Sequence, residues 1–168
     1  TALGNTAQAL ANYATSIGVN SKANSHSSTS IGKAADVSGK NAIGVGTETK
    51  VNGEGTVAVG SGTNVSSKNV STLGSNITVA AGRDGAIVLG HGSDAGKEST
   101  KVMAVNSAVA DGSPLVYSDF AGKLGGTDTD GINKEATGKQ GNVVSVGSKG
   151  NERQIKHVAA GQITADST

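Results

Sequence analysis

The chain has 168 residues with 26 Gly, one Pro, no Cys or Trp, two Tyr, one Phe and a formal net charge of +1. Near-neutral charge argues against electrostatic attachment to nucleic acid or acidic lipid. The missing cysteines exclude disulfides and thiolate metal sites. So few large side chains cannot fill a conventional compact core. Two readings remain: a disordered chain, or thin repeated layers completed by further copies of itself. Low net charge and plentiful Val, Ile and Thr speak against disorder.

In chain order, residues 1–96 carry a repeat in which a small residue, an apolar residue and a glycine recur. The apolar members are Leu3, Ile17, Ile31, Ile43, Val59, Leu73 and Leu89, spaced 14, 14, 12, 16, 14 and 16 apart. A second apolar or small residue stands six after most of them: Ala9, Ala23, Val37, Val65, Val79 and Ala95. Val51, eight after Ile43, is the exception. Changes of two residues keep side chains on the same face of a strand. Each repeat therefore reads as two very short strands joined by turns rich in Gly, Asn, Asp and Ser, residues that tolerate left-handed backbone. Stacked coils of this kind form an all-β parallel solenoid, or β-roll. The seven anchor residues are expected to stack as one core column and the +6 residues as another. Rising roughly 4.8 Å per coil, seven anchors span roughly 30 Å. Two columns make a thin core, so a free face is expected to be covered by partner chains. The polar repeat positions Asn20, Lys22, Asn41, Lys50 and Lys68 are the candidate ligand surface.

Residues 97–140 break the repeat. KVMAVNSAVA (Lys101 to Ala110) and SPLVYSDF (Ser113 to Phe120) read as two strands around the turn signal Asp111-Gly112. The expected role of this hairpin is to pack Tyr117 and Phe120 on a neighbouring chain; the alternative is a receptor-binding loop at 124–140.

Residues 141–168 change texture again. In SVGSKGNERQIKHVAAG (Ser145 to Gly161) the charges Glu152, Arg153 and Lys156 cluster, and Ile155 and Val158 fall three apart. Val143, Val144 and Val146 read as a last strand, Gly147 and Gly150 as turns, and a helix is expected from near Asn151.

TSIGVNS (Thr15 to Ser21) and KNAIGVGT (Lys40 to Thr47) resemble the head repeat of the YadA-like trimeric autotransporter adhesins, and Ser145 to Gly161 resembles that family's neck. The resemblance implies a left-handed β-roll head, assembled as a homotrimer, with a short neck leading to a coiled-coil stalk. It also implies a place on the bacterial cell surface, with outer-membrane attachment through a C-terminal barrel outside these residues. Under that reading Glu152, Arg153, Ile155 and Val158 form an inter-chain neck clamp, with bidentate Arg–carboxylate contacts suited to the convergence of three chains.

Motifs for catalysis and cofactors fail one by one. Asp128, Asp130, Asn133 and Glu135 offer oxygen ligands without the spacing of a calcium loop. No Gly-Lys pair is followed by Ser or Thr, so the phosphate loop is absent. GHGSDAG (Gly90 to Gly96) misses the dinucleotide fingerprint, and no Gly-x-Ser-x-Gly elbow exists. His26, His91 and His157 lack metal spacing within one chain, leaving only an axial site at His157 of a trimer as a candidate. No enzyme, cofactor or metal is read from the sequence. The expected function is an adhesive head binding collagen, laminin, fibronectin or another host cell-surface ligand through many weak contacts. The alternative is a structural spacer that holds another adhesive domain away from the cell. An ice-binding solenoid lacks its regular Thr-x-Thr ladder.

Overall fold

The computed structural model describes residues 1–95, 108–110, 113–115 and 143–157. In chain order the first strands are β1 (Ala2–Leu3), β2 (Gln8–Ala9), β3 (Thr15–Ile17), β4 (Lys22–Ala23), β5 (Thr29–Ile31), β6 (Asp36–Val37) and β7 (Ile43–Val45). They continue with β8 (Lys50–Val51), β9 (Val57–Val59), β10 (Asn64–Val65), β11 (Ser71–Leu73), β12 (Thr78–Val79) and β13 (Ile87–Leu89). Two further strands, β14 (Ala108–Ala110) and β15 (Ser113–Leu115), pair antiparallel and flank Asp111 and Gly112. The last is β16 (Val144–Ser145).

Odd-numbered strands through β13, followed by β16, form one eight-stranded sheet; even-numbered strands β2 to β12 form a six-stranded sheet. Every pairing in these two sheets is parallel and joins each strand to its counterpart in the next coil. The chain is thus the all-β parallel solenoid that the repeat predicts. Two turns close each coil, and each holds a residue in the left-handed α region; in one of them it comes two after the positive-φ anchor glycine. Asn20, Ala34 and Glu48 (φ 59°, 53° and 57°) mark one turn, and Ser27, Asn41 and Asn69 (φ 54°, 55° and 54°) the other. Such positions favour Gly and Asn, which is why the sequence is rich in both.

The register corrects the repeat. Ile31 pairs with Val45, and Val45 with Val59, while Ile43 pairs with Thr29 and Val57. Val45 and not Ile43 therefore belongs to the anchor column, and the glycine that follows it, Gly46, has the left-handed φ of 143° shared by Gly32 and Gly60. The period is a uniform 14 from Leu3 to Leu73, and a single two-residue insertion separates Leu73 from Leu89. Val51 then stands six after its anchor like its counterparts.

The anchors do stack, but they do not form the core of the chain. In each three-residue strand the middle side chain points inward: Ser16, Ser30, Gly44, Ala58, Thr72 and Val88 are buried. The anchor that follows it points out by strand alternation, so Leu3 is 65 % and Leu73 60 % exposed. Ile17, Ile31 and Val59 are half-buried, and Ile43 and Leu89 are exposed. The second expected column is interior: Ala23, Val37, Val51, Val65 and Val79 are buried. Two turn columns complete the core, Ser21, Ala35, Thr49, Thr63 and Ile77 in one and Ala14, Ser28, Ala42, Thr56 and Val70 in the other. The interior is narrow: its largest fully buried side chain is Ile77, and the larger Arg83 is buried beside the last coils.

The helix expected from Asn151 is not formed through His157, and no helix occurs among the described residues. Gly147 and Asn151 close a turn, with the Asn151 N–H donating to the Ser148 carbonyl at 2.8 Å. His157 has a left-handed φ of 60°, which a continuing α-helix does not allow.

Candidate functional surfaces

The first surface follows from the outward alternation of the eight-stranded sheet. Its outer face carries Thr15 with Ile17, Thr29 with Ile31, Ile43 with Val45, Val57 with Val59, Ser71 with Leu73, and Ile87 with Leu89. Single exposed apolar residues are ordinary, but a contiguous apolar stripe of this kind marks an interaction site. At roughly 4.8 Å per strand, its six paired rows span roughly 24 Å.

The outer face of the six-stranded sheet is polar. Gln8, Lys22, Asp36, Lys50, Asn64 and Thr78 stand side by side in register. Asp36 lies between Lys22 and Lys50 and accepts a 2.7 Å hydrogen bond from the Asn24 amide, which also donates to Ser38 Oγ at 3.0 Å. The remaining candidate ligand residues lie elsewhere. Asn20 and Asn41 occupy the two left-handed turn positions, so their identity answers a backbone need. Asn20 Oδ1 also accepts a hydrogen bond from Thr6 Oγ1 in the preceding coil. Lys68 sits in the second turn, 3.9 Å from the Glu54 carboxylate, and its backbone N–H donates to Asp84 Oδ1 at 2.9 Å. The five candidates are therefore spread over one sheet and two turn columns, and no single patch gathers them. The residue that sequence reasoning missed is Asp36; it stands five after the Ile31 anchor, as Lys22 does after Ile17 and Lys50 after Val45.

The third surface is the start of the neck. β16 continues the eight-stranded sheet, with Val144 beside Ile87 and Ser145 beside Val88. Ser145-Val146-Gly147 is a further copy of the small–apolar–Gly anchor, legible in the sequence once the register is known. The chain then turns back. Arg153 lays its guanidinium on the last coil, donating from Nη1 to Ser93 Oγ and to the Val146 carbonyl, both at 2.8 Å, and from Nη2 to the His91 carbonyl. These partners are a hydroxyl and two carbonyls of the same chain rather than a carboxylate. Glu152 accepts a 2.8 Å hydrogen bond from the Gly150 N–H. That bond, and a second from its own N–H, hold its carboxyl below the ordinary value. Ile155 is 69 % exposed, and Val158 lies outside the described residues.

Among the described residues no group of three or more His, Asp or Glu side chains could hold a metal ion. Asp128, Asp130, Asn133 and Glu135 lie outside them, as do Tyr117 and Phe120. No helix among the described residues is long and apolar enough to cross a membrane.

The family model of the YadA head domain repeat matches residues 1–21, 11–35 and 38–63. Those matches fall on the coils from β1 to β9, where the 14-residue period is uniform. A search of curated proteins finds no match.

Proposed function

With its solenoid identified as a YadA-like head of the trimeric autotransporter adhesin type, we propose that this chain acts as a homotrimer that attaches a bacterial surface to host matrix or cell-surface ligands. The observation that carries the reading is the unpartnered apolar outer face of the eight-stranded sheet, from Ile17 to Leu89. Three copies meeting on that face bury it from water, at about 25 cal/mol per Å² of apolar area removed. The polar face of the six-stranded sheet then points outward in triplicate. With no deep pocket assigned to it, attachment relies on weak contacts repeated over coils, chains and fibres, where effective concentration replaces single-site affinity. Lys22 and Lys50 are the candidate ligand contacts on that face, and the family places such heads at the outer-membrane surface.

A second reading is the spacer. It is favoured by the alternation of charge on the surface: Asp36 stands in register between Lys22 and Lys50, and Lys68 lies beside Glu54.

The test joins assembly to binding. Light scattering on the whole chain is expected to give a trimer, and Val59→Glu with Leu73→Glu is expected to give a monomer that keeps its β signal. The trimer is expected to adhere to surfaces coated with collagen, laminin or fibronectin, and Lys22→Glu with Lys50→Glu to weaken that adhesion. A trimer that adheres to none of these, nor to host cells, would move the reading to the spacer. A wild-type monomer would remove the trimer.

A further inference from the structure

The interior of the solenoid is not uniform along its length. In the coil from Ala14 to Ala23 the four inward residues are Ala14, Ser16, Ser21 and Ala23, all buried. None of them carries a carbon beyond Cβ. Valine enters at Val37; Thr49 and Val51 follow, then Thr56, Thr63 and Val65. The coil from Val70 to Val79 holds Val70, Thr72, Ile77 and Val79 in the same four places. The apolar material inside each coil therefore rises from the Ala14 coil to the Val70–Val79 coil, and falls again in the last coil, where Ala86, Val88 and Ser93 hold three of those places. Burial of each added carbon stabilises its coil, because the hydrophobic contribution scales with the apolar area removed from water.

The hydroxyls of the coils low in apolar material bond within their own coil, whereas Thr49, Thr56 and Thr63 donate to carbonyls of the next coil. Ser16 Oγ and Ser21 Oγ are 2.7 Å apart, and Ser28 Oγ donates to the Ser25 carbonyl at 2.6 Å. Ser30 Oγ is buried with no hydrogen-bond partner, which destabilises its coil, and Thr72 Oγ1 is buried likewise among the valines, where more apolar burial offsets it. The outer face follows only in part: Thr15 and Thr29 precede Ile43 and Val57 in the same row, but Ser71 stands next. The backbone ladder runs through all these coils alike. Side chains alone make the difference.

The neck side is also closed. β16 extends the eight-stranded sheet beyond β13, and the Arg153 guanidinium covers the coil at His91 and Ser93. In a solenoid each coil contacts only its neighbours, so stability is a sum of coil and neighbour terms, and folding spreads from the strongest coil.

We propose that this solenoid is a graded zipper: it folds outward from the Val51–Val79 coils toward Ala14, and opens in the reverse order. Thermal opening then begins in the serine-lined coils and stops against the valine-lined ones, leaving the neck attachment in place. The gradient lies in the inner columns, which an assembly covering the outer face leaves in place, so it holds for one chain and for such an assembly.

Hydrogen exchange followed by mass spectrometry on the folded whole chain tests this. Amides of peptides within 14–31 are expected to exchange about tenfold or more faster than those within 57–79, with 36–51 between them. Equal or reversed protection would overturn the proposal. Two variants separate a gradient from propagation. Val65→Ala is expected to speed exchange in its own coil and in every coil down to Ala14, whereas Val37→Ala is expected to leave 57–79 unchanged. A Val65→Ala effect confined to its own coil would sink the zipper. Should Val65→Ala fail to fold, Ser30→Ala decides: it removes the unpartnered hydroxyl without adding volume. It is expected to slow exchange in 14–37 several-fold while 57–79 stays the same, and no slowing would count against the proposal.

Discussion

Nη1 of Arg153 donates to Ser93 Oγ at 2.8 Å across a sequence separation of 60. The same guanidinium reaches the Val146 and His91 carbonyls, and it lies so close over Gly90 that a Cβ there would stand 2.9 Å from Cζ. Three donors leave a planar fork in fixed directions, a pattern that an ammonium cannot reproduce. Arg153→Lys is therefore expected to loosen β16 almost as much as Arg153→Ala, by about 2 kcal/mol. Amide exchange at Val144 and Ser145 measures it, with the coils before Val79 unaffected.

Glu152 makes the neck turn sensitive to acid. The Gly150 N–H, and after it the residue's own N–H, hold the carboxyl below its ordinary value. A carboxyl with a depressed folded-state pKa adds stability above its unfolded value, and that stability is lost as pH falls through the folded one. The turn at Gly150 is thus expected to be closed at neutral pH and to open under acid, below the ordinary carboxylate range. The Gly150 amide resonance followed against pH reads this directly, and Glu152→Gln should abolish the acid step.

Gly46 is expected to be among the least replaceable residues. Its φ is 143°, and a Cβ would stand 2.5 Å from the Gly60 carbonyl oxygen in the next coil. Neither atom can move without breaking the ladder. Gly46→Ala is expected to cost about 4 kcal/mol or more, seen as a lower midpoint in urea.

Ala34 points the other way. It holds a left-handed φ of 53° with a Cβ and gains no side-chain hydrogen bond from it. Ala34→Gly is expected to stabilise the chain by up to about 1 kcal/mol, and Ala34→Val to destabilise it by more. Thermal unfolding of the two variants beside the parent checks the sign.

Much of the architecture was legible before any coordinates. A recurrence of small–apolar–Gly at about fourteen residues suits stacked short strands, and the +6 residues Ala23, Val37, Val65 and Val79 are interior as expected; Val51, read as the exception, joins them, while Ala9 and Ala95 are half-buried. Of the two strands expected around Asp111-Gly112, the described residues include only Ala108–Ala110 and Ser113–Leu115, which pair antiparallel. The anchor at Ile43 was not legible, because Ala42-Ile43-Gly44-Val45-Gly46 contains two overlapping copies of the motif. Only coil closure chooses between them: Gly46 takes the strained backbone at the turn, while Gly44 faces inward against Val37 and Val51.

The helix expected in the neck failed for a related reason. Glu152, Arg153 and Ile155 have helical spacing, but Arg153 meets partners 60 residues away that local pattern cannot represent. The same holds for the ligand surface. Asn20, Lys22 and Lys68 look alike in the repeat, yet they are a turn residue, a sheet residue and half of an ion pair.

Period, strand alternation and parallel stacking are local properties, and the sequence by itself determined them. Which side of each strand is inside was decided only by tertiary structure. Coil closure turns the residue before each anchor inward, into a channel filled by Ser, Ala, Thr, Val and Ile77, and strand alternation then leaves the Leu and Ile anchors on the outside. The most apolar letters of the repeat therefore became its outer face.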